Sequence, residues 1–266
     1  MELIGKAIRH DPSTAAYHCN LGTALHELDR LDEAAASQRQ AIALNPDYAK
    51  AHNNLANVLL AQGCSIDAVA SYRKALSIVP DDAEIHVNLG TALHELGRLD
   101  EAEASYRKAL AIQPDYAKAH NNLGRTRHAT GLLDQVLASY EQAIFLWPKY
   151  ADAWNNLGVF YKAKADYTSA IRAYRKSVSL KPNQALTYFN LGNLYHETGE
   201  VDQAVEAYLM VIRLSPLYFQ AYVNLGVVYA NAGRMAEAES IWREVLQRNP
   251  ENTQARANLA VFEKRR

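Results

Sequence analysis

The chain has 266 residues, with 28 Lys and Arg against 29 Asp and Glu, and its formal net charge is −1. We expect no nucleic-acid partner, since a nucleic-acid-binding surface calls for a basic stripe. We also expect no membrane insertion, because no apolar stretch approaches the roughly 18 residues that a spanning helix needs and the first residues lack a signal-peptide pattern.

Prolines at a constant interval show that the chain is built from repeats. Successive prolines lie 34 residues apart, and the set is Pro12, Pro46, Pro80, Pro114, Pro148, Pro182, Pro216 and Pro250. A period between roughly 20 and 50 residues is typical of a solenoid, in which each unit buries its apolar face against its neighbours. Function is therefore expected on the repeated surface.

The repeats divide the chain into three segments, which together predict one continuous solenoid domain. Residues 1–14 align with the latter part of a unit and predict a partial N-terminal repeat, its second helix only. Residues 15–252 contain seven units of 34 residues. Residues 253–266 predict a C-terminal helix that caps the array.

One unit, taken as an example, predicts two helices joined by a tight turn. Apolar and small residues recur at helical spacing from Ala117 to His128, and Gly131 follows where a left-handed residue usually ends a helix. A second helical run extends from Asp134 to Trp147, and Pro148 stops it. Each unit is therefore expected to contain a first and a second helix.

Small and bulky residues alternate between the two helices in a way that predicts close packing. A Gly or Ala follows each Asn-Leu pair of the first helix, and an aromatic residue recurs on the second. The aromatic set, which we assign to the core, is Tyr72, Tyr106, Tyr140, Tyr174, Tyr208 and Trp242.

A few positions depart from this pattern. Gln38 replaces the aromatic residue in the first unit, and Val136 replaces a small Ala in the fourth. Asp29 and Ala165 replace the turn glycine. Because Asp tolerates a left-handed conformation better than Ala, we expect the turn at Ala165 to differ in geometry.

These motifs resemble the tetratricopeptide repeat (TPR) family, whose signature pairs Leu-Gly with a later Ala, an aromatic residue and a closing Pro. One unit shows the whole pattern, in Leu191-Gly192, Tyr195, Ala204, Tyr208 and Pro216. The resemblance implies an all-α fold, a right-handed TPR superhelix (α-solenoid) of helix-turn-helix repeats. It also implies that the first helices line a concave groove, which in this family binds proteins or peptides.

Asparagines in one phase of the first helices are the main candidate binding residues. Asn is a poor helix former, costing up to about 0.7 kcal/mol relative to Ala, so a repeated Asn needs a compensating role. Its carboxamide both donates and accepts hydrogen bonds and so matches a peptide unit. We predict an extended-peptide clamp, similar to the asparagine ladder in the arms of protein O-GlcNAc transferases, formed by Asn54, Asn88, Asn122, Asn156, Asn190 and Asn224. Alternatively, these side chains bond only to the neighbouring repeat.

Residues around the asparagines predict ligand preference. Lys50, Lys118 and Arg125 make the first half of the groove polar and partly basic, whereas Phe189 belongs to an apolar second half that includes Leu186, Val159, Val223 and Val227. A preferred ligand would have an acidic or polar segment and an apolar one. The alternative is that these residues are solvated or packing positions.

Other site types are not supported by the sequence. The repeated histidines, among them His26, lack metal-ligand spacing, so we expect groove-lining or packing roles and no metal. No phosphate loop or nucleophile arrangement is present, so we expect neither an enzyme nor a cofactor. Cys19 and Cys64 occupy unrelated places in their units, which predicts a reducing compartment and a cytoplasmic protein.

The half units at the two ends leave further alternatives open. We expect Leu259, Ala260 and Phe262 to be exposed on the last helix, which could dock head-to-tail on another copy and form homo-oligomers. The chain could also be the TPR arm of a longer, glycosyltransferase-like protein. The simplest reading is that the last helix caps the solenoid, and its Lys264-Arg265-Arg266 end suits a helix C-terminus.

Overall fold

The computed structural model describes residues 2–263, and the regular secondary structure in that range is α-helical throughout. The sixteen helices of this part of the chain are α1 (Glu2–His10), α2 (Ala15–Glu27), α3 (Leu31–Leu44), α4 (Ala49–Ala61), α5 (Ser65–Ile78), α6 (Ala83–Glu95), α7 (Leu99–Ile112), α8 (Ala117–Ala129), α9 (Leu133–Leu146), α10 (Ala151–Ala163), α11 (Tyr167–Leu180), α12 (Ala185–Glu197), α13 (Val201–Leu214), α14 (Phe219–Asn231), α15 (Met235–Arg248) and α16 (Thr253–Glu263).

Each repeat consists of a 13-residue first helix followed by a 14-residue second helix, as in α6 and α7. The two helices of a repeat contact each other, and each second helix contacts the first helix of the next repeat in most of the array. The contacts divide the chain into two compact units, of which the first ends at Trp147 and the second begins at Pro148. The predicted fold class, an all-α array of helix-turn-helix repeats, is confirmed.

A left-handed residue ends the first helix of each repeat. At Gly97, where φ is 72°, the backbone N–H donates to the carbonyl of His94 at 3.0 Å, and the N–H of Arg98 reaches back to Leu93 at 2.9 Å. These bonds satisfy carbonyls at the helix end, as expected for a glycine in this position. Ala165 keeps the same hydrogen bonds with φ at 58°. The deviation expected at Ala165 is therefore limited to φ, and Asp29 shares it with φ at 57°.

Glycine in the first helix allows a tyrosine of the second helix to pack directly on the backbone. A Cβ atom added to Gly90 would lie 2.6 Å from Cε1 of Tyr106, and one added to Gly158 would lie 2.6 Å from Cδ1 of Tyr174. Both tyrosines are fully buried. This confirms the predicted pairing of small residues with bulky ones, and burial raises the pKa of Tyr208, at the equivalent position, to about 12.

The loop between repeats is held by a hydrogen bond that the sequence did not predict. The side chain six residues after each proline bonds to that proline's carbonyl oxygen in most repeats. The donor is imidazole Nε2 at His86 (2.9 Å from the Pro80 oxygen), the indole N–H at Trp154 (3.0 Å from Pro148) and the phenol at Tyr222 (3.2 Å from Pro216). Equivalent bonds are made by His18, His52, His120 and Arg256. Four of the repeated histidines thus fasten the turn that enters their own helix.

The last helix differs from the sequence expectation. Leu259 was expected to be exposed, but it is buried in the cluster that contains Trp242 and Val245 of α15. The expectation is wrong for Leu259 because the preceding second helix covers it. Ala260 is exposed, as expected. The side chain of Phe262 and the Lys264-Arg265-Arg266 end lie outside the described residues.

Candidate functional site

The asparagine phase of the first helices forms a surface in each unit, which we call the asparagine face. In the first unit it comprises Asn54, Asn88 and Asn122 on α4, α6 and α8, and successive first helices contact each other there. In the second unit it comprises Asn156, Asn190 and Asn224 on α10, α12 and α14. These side chains are partly exposed except Asn122, which is buried.

Three of the asparagines donate to the preceding repeat. The Nδ2 of Asn54 lies 3.1 Å from Oγ1 of Thr23, that of Asn122 lies 3.3 Å from Oγ1 of Thr91, and that of Asn224 lies 3.0 Å from Oδ1 of Asn193. In each case the acceptor stands three residues after the asparagine of the preceding repeat. For these three, one of the two amide N–H donors is occupied by the neighbouring repeat, as in the alternative interpretation of the sequence.

Two further asparagines have other neighbours. Nδ2 of Asn88 lies 3.4 Å from Oδ1 of Asn53, a longer contact than the three above. Asn156 also interacts with its surroundings.

Asn190 differs from the other asparagines of the face because the acceptor position before it holds an apolar residue. Val159 stands where the repeats that precede Asn54, Asn88, Asn122 and Asn224 place Thr or Asn, so it offers no oxygen to the amide. Within residues 2–263, the Asn190 side chain makes no hydrogen bond, and it is partly exposed. The sequence contained this signal, but it becomes readable only once the bonding rule of the other repeats is known.

Phe189 and its neighbours give the asparagine face of the second unit an apolar border. The Phe189 ring meets the Tyr218 ring at a centroid distance of 5.0 Å and an interplanar angle of 84°, an edge-to-face arrangement. Leu186, one helical turn before Phe189, is 61% exposed. Val223, which the sequence placed in the groove, is instead buried against Trp242, so it contributes to packing.

Basic residues lie on the same face in the first unit. Lys50 and Lys118 are exposed in the first turns of α4 and α8. Arg125 is partly buried, and its Nε is buried without a hydrogen-bond acceptor. By contrast, Arg127 on the same helix is bonded to Glu103 at 3.3 Å and to Ser139 at 2.9 Å. Within this helix, Arg127 has hydrogen-bond partners for its guanidinium, whereas Nε of Arg125 has none.

His94 lies close enough to Arg125 for the Arg125 charge to affect its pKa. Its Nδ1 is 3.0 Å from Oγ1 of Thr126. Burial lowers the pKa of His94, and the Arg125 charge lowers it further, because both disfavour an imidazolium.

A small polar cavity opens next to Asn54 in the first unit. Its volume is about 70 Å³, and it is lined by Thr23, His26, Gln38, Asn54, Asn57 and Val58. It arises where Gln38 replaces the tyrosine that fills the equivalent space in later repeats. The sequence identified the replacement but gave no sign of the cavity.

Two other features of the described chain bear on the kind of site. Among residues 2–263, no group of three or more His, Cys, Asp or Glu side chains is arranged to hold a metal ion. In the same range, every helix is too short or too polar to cross a membrane.

Sequence comparison identifies the family. Profiles described as "Tetratricopeptide repeat" match residues 47–115, 81–149 and 220–249, and one described as "TPR repeat" matches residues 23–63, 161–199 and 192–233. Together with the helix pairs and their glycine–tyrosine contacts, these matches show that the chain belongs to the tetratricopeptide repeat family. Proteins of this family are generally scaffolds for protein interaction. Curated protein sequences contain no match to this chain.

Solved structures share the fold. A chain of the APC/C hetero-tetramer Cut9–Hcn1 is 18% identical with a TM-score of 0.77, and the match covers 85% of this chain. The match spans only 45% of that Cut9–Hcn1 chain. YrrB, described as a TPR protein with an unusual peptide-binding site, is 24% identical (TM-score 0.54; 69% of this chain and 95% of YrrB). MamA is 27% identical (TM-score 0.57; 65% of this chain and 94% of MamA).

Proposed function

We propose that this protein is a non-catalytic scaffold that binds an extended segment of a partner protein on its asparagine face. The family supports the general role, and YrrB, which shares the fold, is described as having a peptide-binding site. Free thiols at Cys19 and Cys64 fit a reducing, cytoplasmic setting for such a scaffold.

The unpartnered amide of Asn190 is the observation that carries the proposal. A carboxamide has two N–H donors and an oxygen that accepts, so it can bond to both the C=O and the N–H of one peptide unit. Asn54, Asn122 and Asn224 have already used a donor within the protein. Asn190 has kept its donors, and Val159 prevents the usual internal bond. Peptide capture in the second unit therefore centres on Asn190.

Apolar side chains next to Asn190 give the bound segment an anchor. Leu186 and Phe189 are one turn apart on α12, and the Phe189 ring is fixed by its edge-to-face contact with Tyr218. A pre-oriented ring loses little entropy when it binds, which favours affinity. A ligand that places a Leu, Phe or Tyr beside its Asn190-bound peptide unit would bury Leu186.

Basic residues would favour acidic ligand residues on the asparagine face of the first unit. Lys50 and Lys118 are exposed, and Arg125, which is partly buried and whose Nε has no hydrogen-bond acceptor, adds a third positive charge that suits a carboxylate. Asn88 and Asn156 belong to the same proposal as weaker contacts, since each already has a neighbour.

A pair of matched alanine variants tests the clamp. A displayed library of random dodecapeptides is selected on the intact protein, and affinities of the selected peptides are measured by fluorescence polarisation. Asn190→Ala should weaken binding about tenfold, because a hydrogen-bonded amide is lost without an internal partner to compensate. Asn122→Ala should leave the affinity of peptides bound in the second unit unchanged while lowering stability. If no peptide is selected, or if Asn190→Ala binds the selected peptides as well as the original protein does, the proposal is wrong.

Self-assembly is a second candidate. Leu3 on α1 is 80% exposed and Val261 on α16 is 53% exposed, so the first and last described helices both present an apolar side chain. Head-to-tail docking of these helices would bury both residues and give open assemblies. Light scattering over a range of concentrations, with Val261→Glu as the matched variant, tests it. A mass that stays that of a monomer excludes the assembly.

A further inference from the structure

A wide groove runs between two second helices of the first unit, and none of the asparagines of the asparagine face lines it. Helices α5 and α7 form its walls, and α6, which contacts both of them, forms its floor. Its volume is about 700 Å³. The α7 wall extends from Glu101 to Ile112, which at about 1.5 Å per residue is a length of about 16 Å. The groove is therefore as long as about three turns of a helix.

The walls of the groove are largely apolar and are built from short side chains. On α7, Ala104 and Ala111 are exposed and Ile112 is 39% exposed. On α5, Leu76 is partly exposed. The hydroxyl of Ser77 donates to a carbonyl of its own helix at 2.7 Å, so its proton is not offered to a ligand. The groove therefore suits a ligand that presents apolar side chains.

Alanine at two positions of α7 keeps the groove open. Ala104 and Ala111 are seven residues apart and lie on one stripe of the helix, facing the groove. At one or both of these positions the next three second helices carry a large side chain, namely Phe145 in α9, Arg172 in α11, and Glu206 and Arg213 in α13. A side chain of that size at either alanine would fill the space between α5 and α7.

Four charged side chains line the groove, and two of them already neutralise each other. Nη2 of Arg73 lies 2.8 Å from Oε2 of Glu101, which joins α5 to α7. The other two, Asp81 and Lys108, are exposed, and neither forms an ion pair within residues 2–263. They are the charges that a ligand can neutralise.

The same two charges are paired one repeat earlier. Asp47 and Lys74 stand 34 residues before Asp81 and Lys108, and they form an ion pair at 3.6 Å. Between α5 and α7 the equivalent residues are apart. A ligand with one acidic and one basic group would therefore complement this groove.

We propose that the groove docks an amphipathic α-helix of a partner protein, about three turns long, with an acidic residue that meets Lys108 and a basic residue that meets Asp81. Apolar residues three and four positions apart on that helix would pack on Ala104, Ala111 and Ile112. A helix satisfies its own backbone hydrogen bonds, whereas an extended segment would bury unpaired N–H and C=O groups against apolar walls. This surface is separate from the asparagine face, so the scaffold could hold an extended segment and a helix together.

A library of helix-forming peptides tests the proposal. Displayed 15-residue peptides, with Leu or Ile at every third or fourth position and the other positions randomised, are selected on the intact protein. Affinities of the selected peptides are measured by fluorescence polarisation. Selected peptides should carry Asp or Glu beside the apolar stripe and gain helical circular dichroism on binding. A proline placed at the centre of such a peptide should abolish binding, because it breaks the helix.

Three protein variants locate the bound helix. Ala111→Phe introduces the residue that α9 carries at the equivalent position, and it should weaken binding about tenfold or more because the ring fills the groove. Lys108→Glu should weaken binding about tenfold, since it replaces an attraction by a repulsion. Lys74→Glu, the matched change one repeat earlier, should leave the affinity unchanged. Exchanging the acidic residue of the peptide for Lys should restore its affinity for Lys108→Glu.

Loss of binding in Ala111→Phe, together with the charge-exchange rescue, supports helix docking. The inference is wrong if no helical peptide is selected, if the selected peptides bind Ala111→Phe as tightly as the original protein, or if Lys108→Glu and Lys74→Glu bind them alike. A dimer of the original protein that Ala111→Phe abolishes would make a second copy the occupant and would also overturn it. Asn190→Ala should leave the affinity of these helices unchanged, so the proposed function and this inference can fail separately.

Discussion

Replacing Gln38 by Tyr should stabilise the first unit. The substitution would fill a cavity of about 70 Å³. At about 24 cal/mol per Å³, filling a closed, empty cavity of this volume would contribute about 1.7 kcal/mol, and because this cavity is polar and open to solvent the contribution is smaller, about 1 kcal/mol. Removing Oε1 of Gln38, which is buried without a hydrogen-bond partner, adds about 1 kcal/mol to the free energy of unfolding. Losing the hydrogen bond from Nε2 of Gln38 to the carbonyl oxygen of Cys19 subtracts about as much. The new phenol would approach Thr23, as the Tyr106 hydroxyl approaches Thr91 at 3.3 Å. The expected net gain in the free energy of unfolding is about 1 kcal/mol.

Local and global measurements are both needed, because repeat arrays can unfold in parts. Amide hydrogen exchange in α2 and α3 should slow in Gln38→Tyr, and the urea midpoint followed by circular dichroism should rise. The reverse change, Tyr106→Gln, serves as control and should lower stability by about 3 kcal/mol or more, since it empties a filled site. An unchanged or lowered stability of Gln38→Tyr would refute the reasoning, because the cavity and the unpaired oxygen would then carry no cost.

Three other predictions concern the turns, the pH response and the asparagine face. Ala165→Gly should raise the melting temperature, since a left-handed Ala costs about 1 kcal/mol, while Gly97→Ala should lower it. The pKa of His94 is lower in the folded protein than its unfolded value near 6.5. Its contribution to the free energy of unfolding is therefore complete above that pH and is lost as the pH falls through the folded pKa. Urea titrations at several pH values should show this loss, and the pH profile of His94→Gln should be flatter. Asn122→Ala should lower the free energy of unfolding by about 1–2 kcal/mol, because its bond to Thr91 is lost, whereas Asn190→Ala should change it little; equal losses in urea titrations would contradict the assigned bonding.

The fold could be predicted from sequence because its determinants are local and repeated. The proline interval gives the length of the unit, and the alternation of Gly90 with Tyr106 gives the contact between its helices. One copy of such a pattern is ambiguous, but its recurrence along the chain removes the ambiguity. The burial of Leu259 was missed because the last helix was considered alone. The preceding second helix, α15, covers that side chain.

The candidate site was only partly predictable, because it depends on which polar atoms remain unpaired. The asparagine phase is visible in sequence, but the bond from Asn122 to Thr91 joins residues 31 positions apart in different repeats. The special status of Asn190 follows from Val159 at the other end of such a pair. The cavity at Gln38 depends on side-chain volume and on the direction of one amide, which periodicity does not encode.

The hydrogen bond that joins most of the repeat prolines to the side chain six residues later has a consequence for how such an array can change. Donor and acceptor belong to the same short stretch of chain, as in His86 and Pro80, so the geometry of each junction is carried by the junction itself. Imidazole, indole, phenol and guanidinium groups all act as the donor at this position. The residue can therefore be substituted as long as its side chain still donates a hydrogen bond. A repeat moved to another array would therefore keep the hydrogen bond that fixes its own junction. Repeats could therefore be inserted, deleted or exchanged between arrays without changes to their neighbours. The asparagine face could then change by one repeat at a time.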